Sequence, residues 1–442
     1  ALSHVVSAIH GPPGTGKTFT LSALIRIWIA QRKQRGLSCR ILISAGQYSA
    51  LSVLAGALSG HAISSKCYTF GFRQTAQVEM KALLNTIQKA NPSSEYHEQQ
   101  EMVVFAIAHQ AKKLEKSMGV FDLIIVDEAS QLTLRNYLGL LRLVKSVSFD
   151  FLDDLTDVSF DSFSQVVLAG DHMQLPPVHQ APLPEHLKWY LSSIFLYYLH
   201  NPMRWFIPNV VLRENFRSES TFVDAINELD LYYEQSNSSI NHEDLVTTPV
   251  KLRSERGHLI RKGISKHSFW VKDLFSEHSP YCDDRTQEVF QTLKDKEFLF
   301  LTHGNRSDVK ISRVEIELVV LIAQEAISTY ARMHRKEFGV QEKIDWCRFF
   351  KEEFGVVSPH NAQGIQIYKK IIDWMKNNQQ LDINFTPNLA QEIRSSVVSV
   401  EKYQGNARTF LVATFGISAP DQLKSEEGFL YDIRRLHVLI SR

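Results

Sequence analysis

The sequence predicts two α/β domains in tandem, each built on a parallel sheet flanked by helices. Three observations predict it. Short apolar runs alternate with helical segments. Two of those runs lead straight into acidic residues, as Leu123-Ile124-Ile125-Val126 does into Asp127-Glu128. The alternation breaks off and then resumes after Pro208. At 442 residues, 44% hydrophobic and 22% charged, the chain is long enough for several buried cores.

Residues 5–10 read as a buried strand, 17–35 as a helix and 40–45 as the next strand. Residues 75–117 are polar and helical in character, broken at Asn91-Pro92-Ser93-Ser94, so a helical insertion is expected at about 62–118. Residues 123–126 and 166–169 are short apolar strands, and the acidic segment 150–161 between them reads as a solvated loop. Beyond Pro208, strands are expected at 210–212, 298–302, 356–358 and 397–400, with helices at 313–330 and 362–375. The first domain is therefore expected over 1–204 and the second over 205–442, the latter with an irregular insertion at about 234–294. The chain starts just before a strand and stops inside a motif, so further domains or partner subunits outside this segment are expected.

Composition excludes several classes. The net charge of +1 gives no whole-molecule field for nucleic acid, so any such site must be a local groove. Cys39, Cys67, Cys282 and Cys347 show no paired spacing, which argues against a zinc module or a disulfide framework and fits an intracellular compartment. His278 near Cys282 lacks a second ligand pair. The apolar run 21–30 is interrupted by Arg26 and is too short to cross a bilayer.

The strongest local signal is Gly11-Pro12-Pro13-Gly14-Thr15-Gly16-Lys17-Thr18, a full GxxxxGK[ST] between a strand and a helix. Its glycines let backbone N–H groups curl around phosphate oxygens, and the helix N-terminus adds a positive dipole end. Lys17 is placed to neutralise the β/γ-phosphates of ATP and Thr18 to ligate Mg²⁺. Such a loop needs a carboxylate at a nearby strand end. Asp127 would hold the Mg²⁺ and Glu128 would act as general base toward water. These two elements identify an ATP-hydrolysing site and nothing narrower.

Further motifs narrow it. Asp127-Glu128-Ala129-Ser130-Gln131, Gly170-Asp171-His172-Met173-Gln174-Leu175-Pro176-Pro177 and the phosphate loop resemble motifs II, III and I of superfamily 1 helicases. The likeness is to the group containing the nonsense-mediated-decay helicase, senataxin and Aquarius. It continues in order: Leu212-Arg213-Glu214-Asn215-Phe216-Arg217 is similar to motif IV, Val357 to Gln363 to a strand-loop segment, Ser399 to Gly405 to motif V, and Arg434 to Arg442 to motif VI. The resemblance implies tandem RecA-like domains and an enzyme that couples ATP hydrolysis to movement on single-stranded RNA or DNA, 5′ to 3′. It implies that Gln174 senses the γ-phosphate, that Arg217 and Arg442 are arginine fingers carried by the second domain, and that Phe216 stacks on adenine beside an ATP site that includes Gly405. Strand contacts are implied at Gly46, Gln47 and Tyr48, at Pro359, His360 and Asn361, and at Lys402 and Gln404.

The family's Pro-Ser-Asn in motif Ia is Gly46-Gln47-Tyr48 here, and its motif V glutamate is Ala407. An ATP-gated clamp with little unwinding, or a motor within a larger nuclease or defence effector, is the alternative expectation. The basic stretch 251–272, with Phe269 and Trp270 inside it, reads as an accessory clamp or a solvated insertion.

Overall fold

The computed structural model describes residues 5–59, 67–70, 87–89, 96–97, 99–145, 163–177, 184, 187, 191, 193–199, 207, 209–218, 220–228, 232–237, 245–255, 270–275, 287–288, 291, 301, 311–339, 341–378, 381, 383–403, 408–417, 424 and 432–440. The chain forms two compact units. One comprises Ala1–Ser218 with Val223–Glu255, the other Glu219–Phe222 with Arg256–Arg442.

The first unit is organised by eight strands: β1 (Val6–His10), β2 (Cys39–Ala45), β3 (Cys67–Phe70), β4 (Ile87–Lys89), β5 (Glu101–Ile107), β6 (Leu123–Val126), β7 (Gln165–Gly170) and β8 (Asn209–Val211). They hydrogen-bond in the order β4-β3-β5-β2-β6-β7-β1-β8, every pair parallel. Parallel pairing requires crossovers, which bury both faces of the sheet and leave near-continuous apolar strands. Successive residues accordingly enter opposite cores. Leu42, Val104, Ile124, Val126 and Leu168 pack on one face. Ile41, Ile43, Phe105, Ile125 and Val167 pack on the other, against Leu21, Ile25 and Trp28 of helix α1 (Lys17–Gln34) and Leu51, Leu54 and Leu58 of α2 (Tyr48–Ser59).

One expectation is corrected here. The expected helical insertion at 62–118 contains β3, β4 and β5; its described helical part is a 3-10 turn at Ala108–Gln110 followed by α3 (Ala111–Met118). The run Met102 to Ile107 lacks strand alternation because both its faces are covered: Met102, Val104 and Ala106 join one core, Val103, Phe105 and Ile107 the other. The first compact unit runs past the expected division at 204/205, to Ser218. β8 pairs with β1, through Ala8↔Asn209 and His10↔Val211, and so completes the first sheet. β9 (Glu214–Asn215) pairs with β12 (Arg253–Ser254), and the hairpin β10 (Tyr233–Asn237) with β11 (Leu245–Pro249) belongs to the same unit.

In the second unit, β13 (Phe354–Val357) lies between β14 (Val397–Val398) and β15 (Phe410–Ala413), again all parallel. Helix α7 (Arg313–Phe338) starts at Ser312, whose hydroxyl accepts the Glu315 N–H at 3.3 Å. Helix α8 (Asn361–Asn377) leaves the end of β13, and α9 (Pro387–Ser396) is capped by Thr386 with proline in its first turn. Their apolar faces enclose Phe349, Phe354, Val356, Ile367 and Ile393. Gln363 and Glu315 tie this core to the segment after β15. The Gln363 amide donates to Glu315 and Thr414, and Glu315 accepts the N–H groups of Phe415 and Gly416 at 3.0 and 2.9 Å. The expected strand at 298–302 and acidic loop at 150–161 lie outside the described residues save Leu301.

Cys39 and Cys67 are free thiols in the first core, pushed up to about 12 and about 11 by burial, and Cys347 is also free. Cys282 and His278 lie outside the described residues. No helix among the described residues is long and apolar enough to cross a membrane.

Candidate nucleotide site of the first unit

Because β2, β6, β7 and β1 are neighbours and parallel, their carboxyl ends share one edge of the sheet. That edge is where α/β folds bind ligands, since each strand hands over to a loop there. The motif expected to touch nucleic acid follows β2, the Asp-Glu pair follows β6, the Gln174 turn follows β7 and the phosphate loop follows β1. Fold topology thus gathers four motifs spread over more than a hundred residues of sequence.

The phosphate loop is held from three directions. The Gly11 N–H donates to Gly170 O at 2.9 Å, and both the N–H and the hydroxyl of Thr15 reach Pro12 O, at 3.2 and 2.7 Å. Gly14 and Gly16 take φ of 78° and 76°, the left-handed region that side chains resist. A Cβ on Gly11 would lie 2.9 Å from Cβ of Lys17. The third hold comes from the end of β9 and the residues that follow it. Asn215 is fully buried; its amide donates to Pro13 O at 2.9 Å, and its Oδ1 accepts the Arg217 and Ser218 N–H groups at 2.9 and 2.8 Å. The Phe216 N–H donates to Gly14 O at 2.8 Å.

Lys17 is 8% exposed and its Nζ lies 2.8 Å from Oε1 of Glu128 and 3.5 Å from Oδ1 of Asp127. Burial pulls its pKa down, but the Glu128 and Asp127 carboxylates outweigh that and hold it above the ordinary lysine value. Asp127 is raised: burial dominates over the attraction of Lys17. Glu128 adopts φ 51°, rare for a residue with a Cβ, and its N–H donates to Oδ1 of Asp127 at 2.8 Å. Such a conformation costs on the order of 1–3 kcal/mol and persists at sites that need a side chain aimed. Gln174 is buried, its N–H donating to Asp171 O at 3.1 Å.

These residues fit a Mg²⁺–triphosphate. The glycine positions form a cradle that a Cβ would fill, and Ser44 Oγ, Ser130 Oγ and Glu128 Oε2 are buried without a hydrogen-bond partner in the protein. A hydroxyl and carboxylate set of this kind is hard, oxygen-only and suited to Mg²⁺. Thr18 and Asp127 would hold the ion.

The structure alters the placement of Arg217. It belongs to the first unit, with its Cβ 2.7 Å from where a Cβ on Gly14 would stand, so it is not carried by the second. Phe216 is 43% exposed, its ring 3.7 Å from the corresponding point on Gly16. Gly46 and Tyr48 are half-buried and Gln47 exposed at the end of β2, where the Gln47 amide donates to Oε1 of Gln131 at 2.9 Å. Pro359, His360 and Asn361 lead into the N-terminus of α8 in the second unit, and Lys402 is exposed on α10 (Val400–Tyr403). Gln404, Gly405, Ala407 and Arg442 lie outside the described residues, as does most of 251–272.

The motif Leu212 to Arg217 implies no role for Asn215. Its buried position against the glycine-rich phosphate loop is not written in the motif; only the fold puts residue 215 against residue 13. Replacing it with alanine leaves two buried N–H donors unmet, at about 1–3 kcal/mol each. Asn215→Ala is expected to lower the denaturation midpoint and to raise the KM for ATP about tenfold; a variant with both unchanged would show that the latch is idle.

Comparison with known proteins adds an independent line. A family model described as an AAA domain matches residues 1–180, and a second of the same description matches residues 201–442. The probable helicase with zinc finger domain of Danio rerio is 28% identical over 242 residues, which is 51% of this chain and 12% of that protein. The 3′-5′ exoribonuclease HELZ2 of Homo sapiens is 28% identical over 233 residues, 49% of this chain and 7% of its own length. The DNA replication ATP-dependent helicase/nuclease DNA2 of Xenopus laevis is 23% identical over 473 residues, 100% of this chain and 35% of that protein. The chain therefore spans about a third or less of the length of these relatives.

Proposed function

This chain belongs to the superfamily 1 helicases with paired AAA domains, and from that premise we propose that it hydrolyses ATP to drive movement along a single nucleic-acid strand. The observation that carries the proposal is the shared sheet edge of β1, β2, β6 and β7, which sets the phosphate loop, carboxylates, Gln174 turn and strand-contacting loop side by side. Lys17 orients the β/γ-phosphates, Glu128 takes a proton from the attacking water, and Gln174, Arg217 and Arg442 respond to the γ-phosphate. Bound Mg²⁺ would neutralise developing charge on the phosphate oxygens. Phe216 stacks on the base.

Strand contact and hydrolysis need a physical link. The Gln47–Gln131 hydrogen bond supplies one, because Gln47 is in the loop assigned to the strand and Gln131 is three residues beyond Glu128. A strand phosphate that displaces Gln47 would be felt at the Asp-Glu turn. Polarity is assigned 5′ to 3′, and contacts by Gly46, Tyr48, Pro359, His360, Asn361, Lys402 and Gln404 go to backbone phosphates, which gives affinity without sequence preference.

The deciding experiment is ATP turnover with and without single-stranded RNA or DNA homopolymers. Stimulation of about tenfold or more by one polymer is expected, falling with salt as phosphate contacts do. Turnover indifferent to both polymers would remove the motor assignment. Strand displacement from a tailed duplex then separates a motor from an ATP-gated clamp, which binds in an ATP-dependent way but displaces nothing.

A further inference from the structure

A buried polar cluster lies beside the phosphate loop, and nothing in the chemistry above uses it. His10, Asp171, His172 and Tyr232 are 1%, 0%, 6% and 2% exposed. Nε2 of His10 is 2.8 Å from Nδ1 of His172 and 3.5 Å from Oδ1 of Asp171, while the Tyr232 hydroxyl donates to Oδ2 of Asp171 at 3.3 Å. The rings meet edge to face, with His10 also against Phe195.

Two imidazoles and a carboxylate this close suggest either a metal site or a hydrogen-bonded brace. Distance decides. Ligands on a tetrahedral ion with bonds of about 2.0–2.1 Å lie about 3.3 Å apart. The His10–His172 separation is well inside that and is a hydrogen-bond length. An N–H of one ring donated to the other in a dry site gives a directional link that water does not compete for.

The link's position gives it a task. His10 and Gly170 are the last register partners of the β1/β7 ladder. Beyond them the two strands part, one into the phosphate loop and the other into the Gln174 turn. The His10–His172 bond is a side-chain tie across that divergence. Asp171, on the same turn, accepts the Met173 N–H at 3.0 Å through its side chain and the Gln174 N–H through its carbonyl.

We propose that the His10–His172 bond is a positioning brace: it sets the distance from Gln174 to the phosphates held by Lys17, and so acts on the chemical step more than on ATP binding. The brace rests on the assignment of Gln174 to the γ-phosphate made above. Neither histidine touches substrate, so both are positioning residues.

Its test uses the atoms involved. A glutamine amide reaches where Nε2 of a histidine stands, and an asparagine amide where Nδ1 stands. His10→Leu and His172→Leu are therefore expected to lower kcat about tenfold, the scale of one buried hydrogen bond, with the Kd for a fluorescent ATP analogue unchanged. His10→Gln and His172→Asn are expected to recover most of kcat, whereas His10→Asn, too short to reach, is not. Wild-type kcat in both leucine variants would overturn the brace, and so would a parallel loss of kcat and affinity that His10→Gln does not rescue. If a leucine variant fails to fold, His10→Gln against His10→Asn carries the test alone: equal kcat in the two overturns the brace. Lys17→Ala is the control. Turnover at the wild-type rate in that variant sinks the phosphate-site assignment itself, while a dead Lys17→Ala beside fully active leucine variants sinks only the brace.

Discussion

Glu128→Gln is expected to lower ATP turnover by about 10³-fold while ATP still binds, within the 10²–10⁴ range for loss of a general base. Glutamine keeps the shape of the side chain and its reach to Lys17, but its amide cannot take a proton from water. The local backbone explains why the loss cannot be made up by a neighbour. Glu128 is held at φ 51° with its N–H on Asp127, a strained turn that aims one carboxylate and no other. Asp127, buried and raised, is committed to the metal in the proposed chemistry. The pairing with Lys17 at 2.8 Å adds a second consequence. When phosphate oxygens take Lys17, the Glu128 carboxylate loses its partner and is released to face the attacking water. Turnover and equilibrium binding of a fluorescent ATP analogue check this; activity within tenfold of wild type would remove Glu128 from the general-base role.

Lys17→Ala is expected to abolish measurable turnover and also to destabilise the first unit. Lys17 is the counter-charge to two carboxylates in a site where it and Asp127 are buried and Glu128 is half-buried. Removing one partner of a buried pair costs on the order of 3 kcal/mol, because the charge left behind has no compensation. The pH dependence has a definite sign. Asp127 already has a raised pKa, and loss of Lys17 removes an attraction that lowers it, so its pKa rises further. A carboxyl whose folded pKa lies above its unfolded value favours the folded state when protonated, so the variant's deficit should shrink as pH falls from neutral toward the ordinary carboxylate range. Thermal melts of wild type and variant at pH 7.5 and about 5 read this directly. A deficit that grows on acidification would show that the carboxylates are not what Lys17 restrains.

The chemistry of the site was legible in sequence wherever the groups are consecutive. Gly11 to Thr18 carries its own backbone geometry, and the four apolar residues before Asp127 announce a strand that delivers a carboxylate to a sheet edge. The second unit's strand at Phe354–Val357 and helices α7 and α8 were legible for the same reason, although α7 runs on to Phe338, past the expected end at residue 330. What failed was pairing between distant segments. Residues 101–107 read as part of a polar helical stretch, since a strand covered on both faces shows no alternation. Residues 210–212 read as a strand of the next domain because they lie beside motif IV in sequence, whereas β8 hydrogen-bonds to β1. Arg217 followed it, and with it the expectation that this cation is carried by the second unit.

Sequence by itself determined which groups exist to grip a triphosphate and which residue types stand ready to cleave it, because each such set is a short run whose local conformation follows from its own glycines, prolines and apolar strand. Tertiary structure decided the rest: that β1 lies between β7 and β8, that Asn215 latches Pro13, and that His10 meets His172 from 162 residues away. The physical reason is that parallel strands and buried side-chain hydrogen bonds join segments with no local signature. Only burial of both sheet faces, acting on the whole chain at once, selects which ends become neighbours.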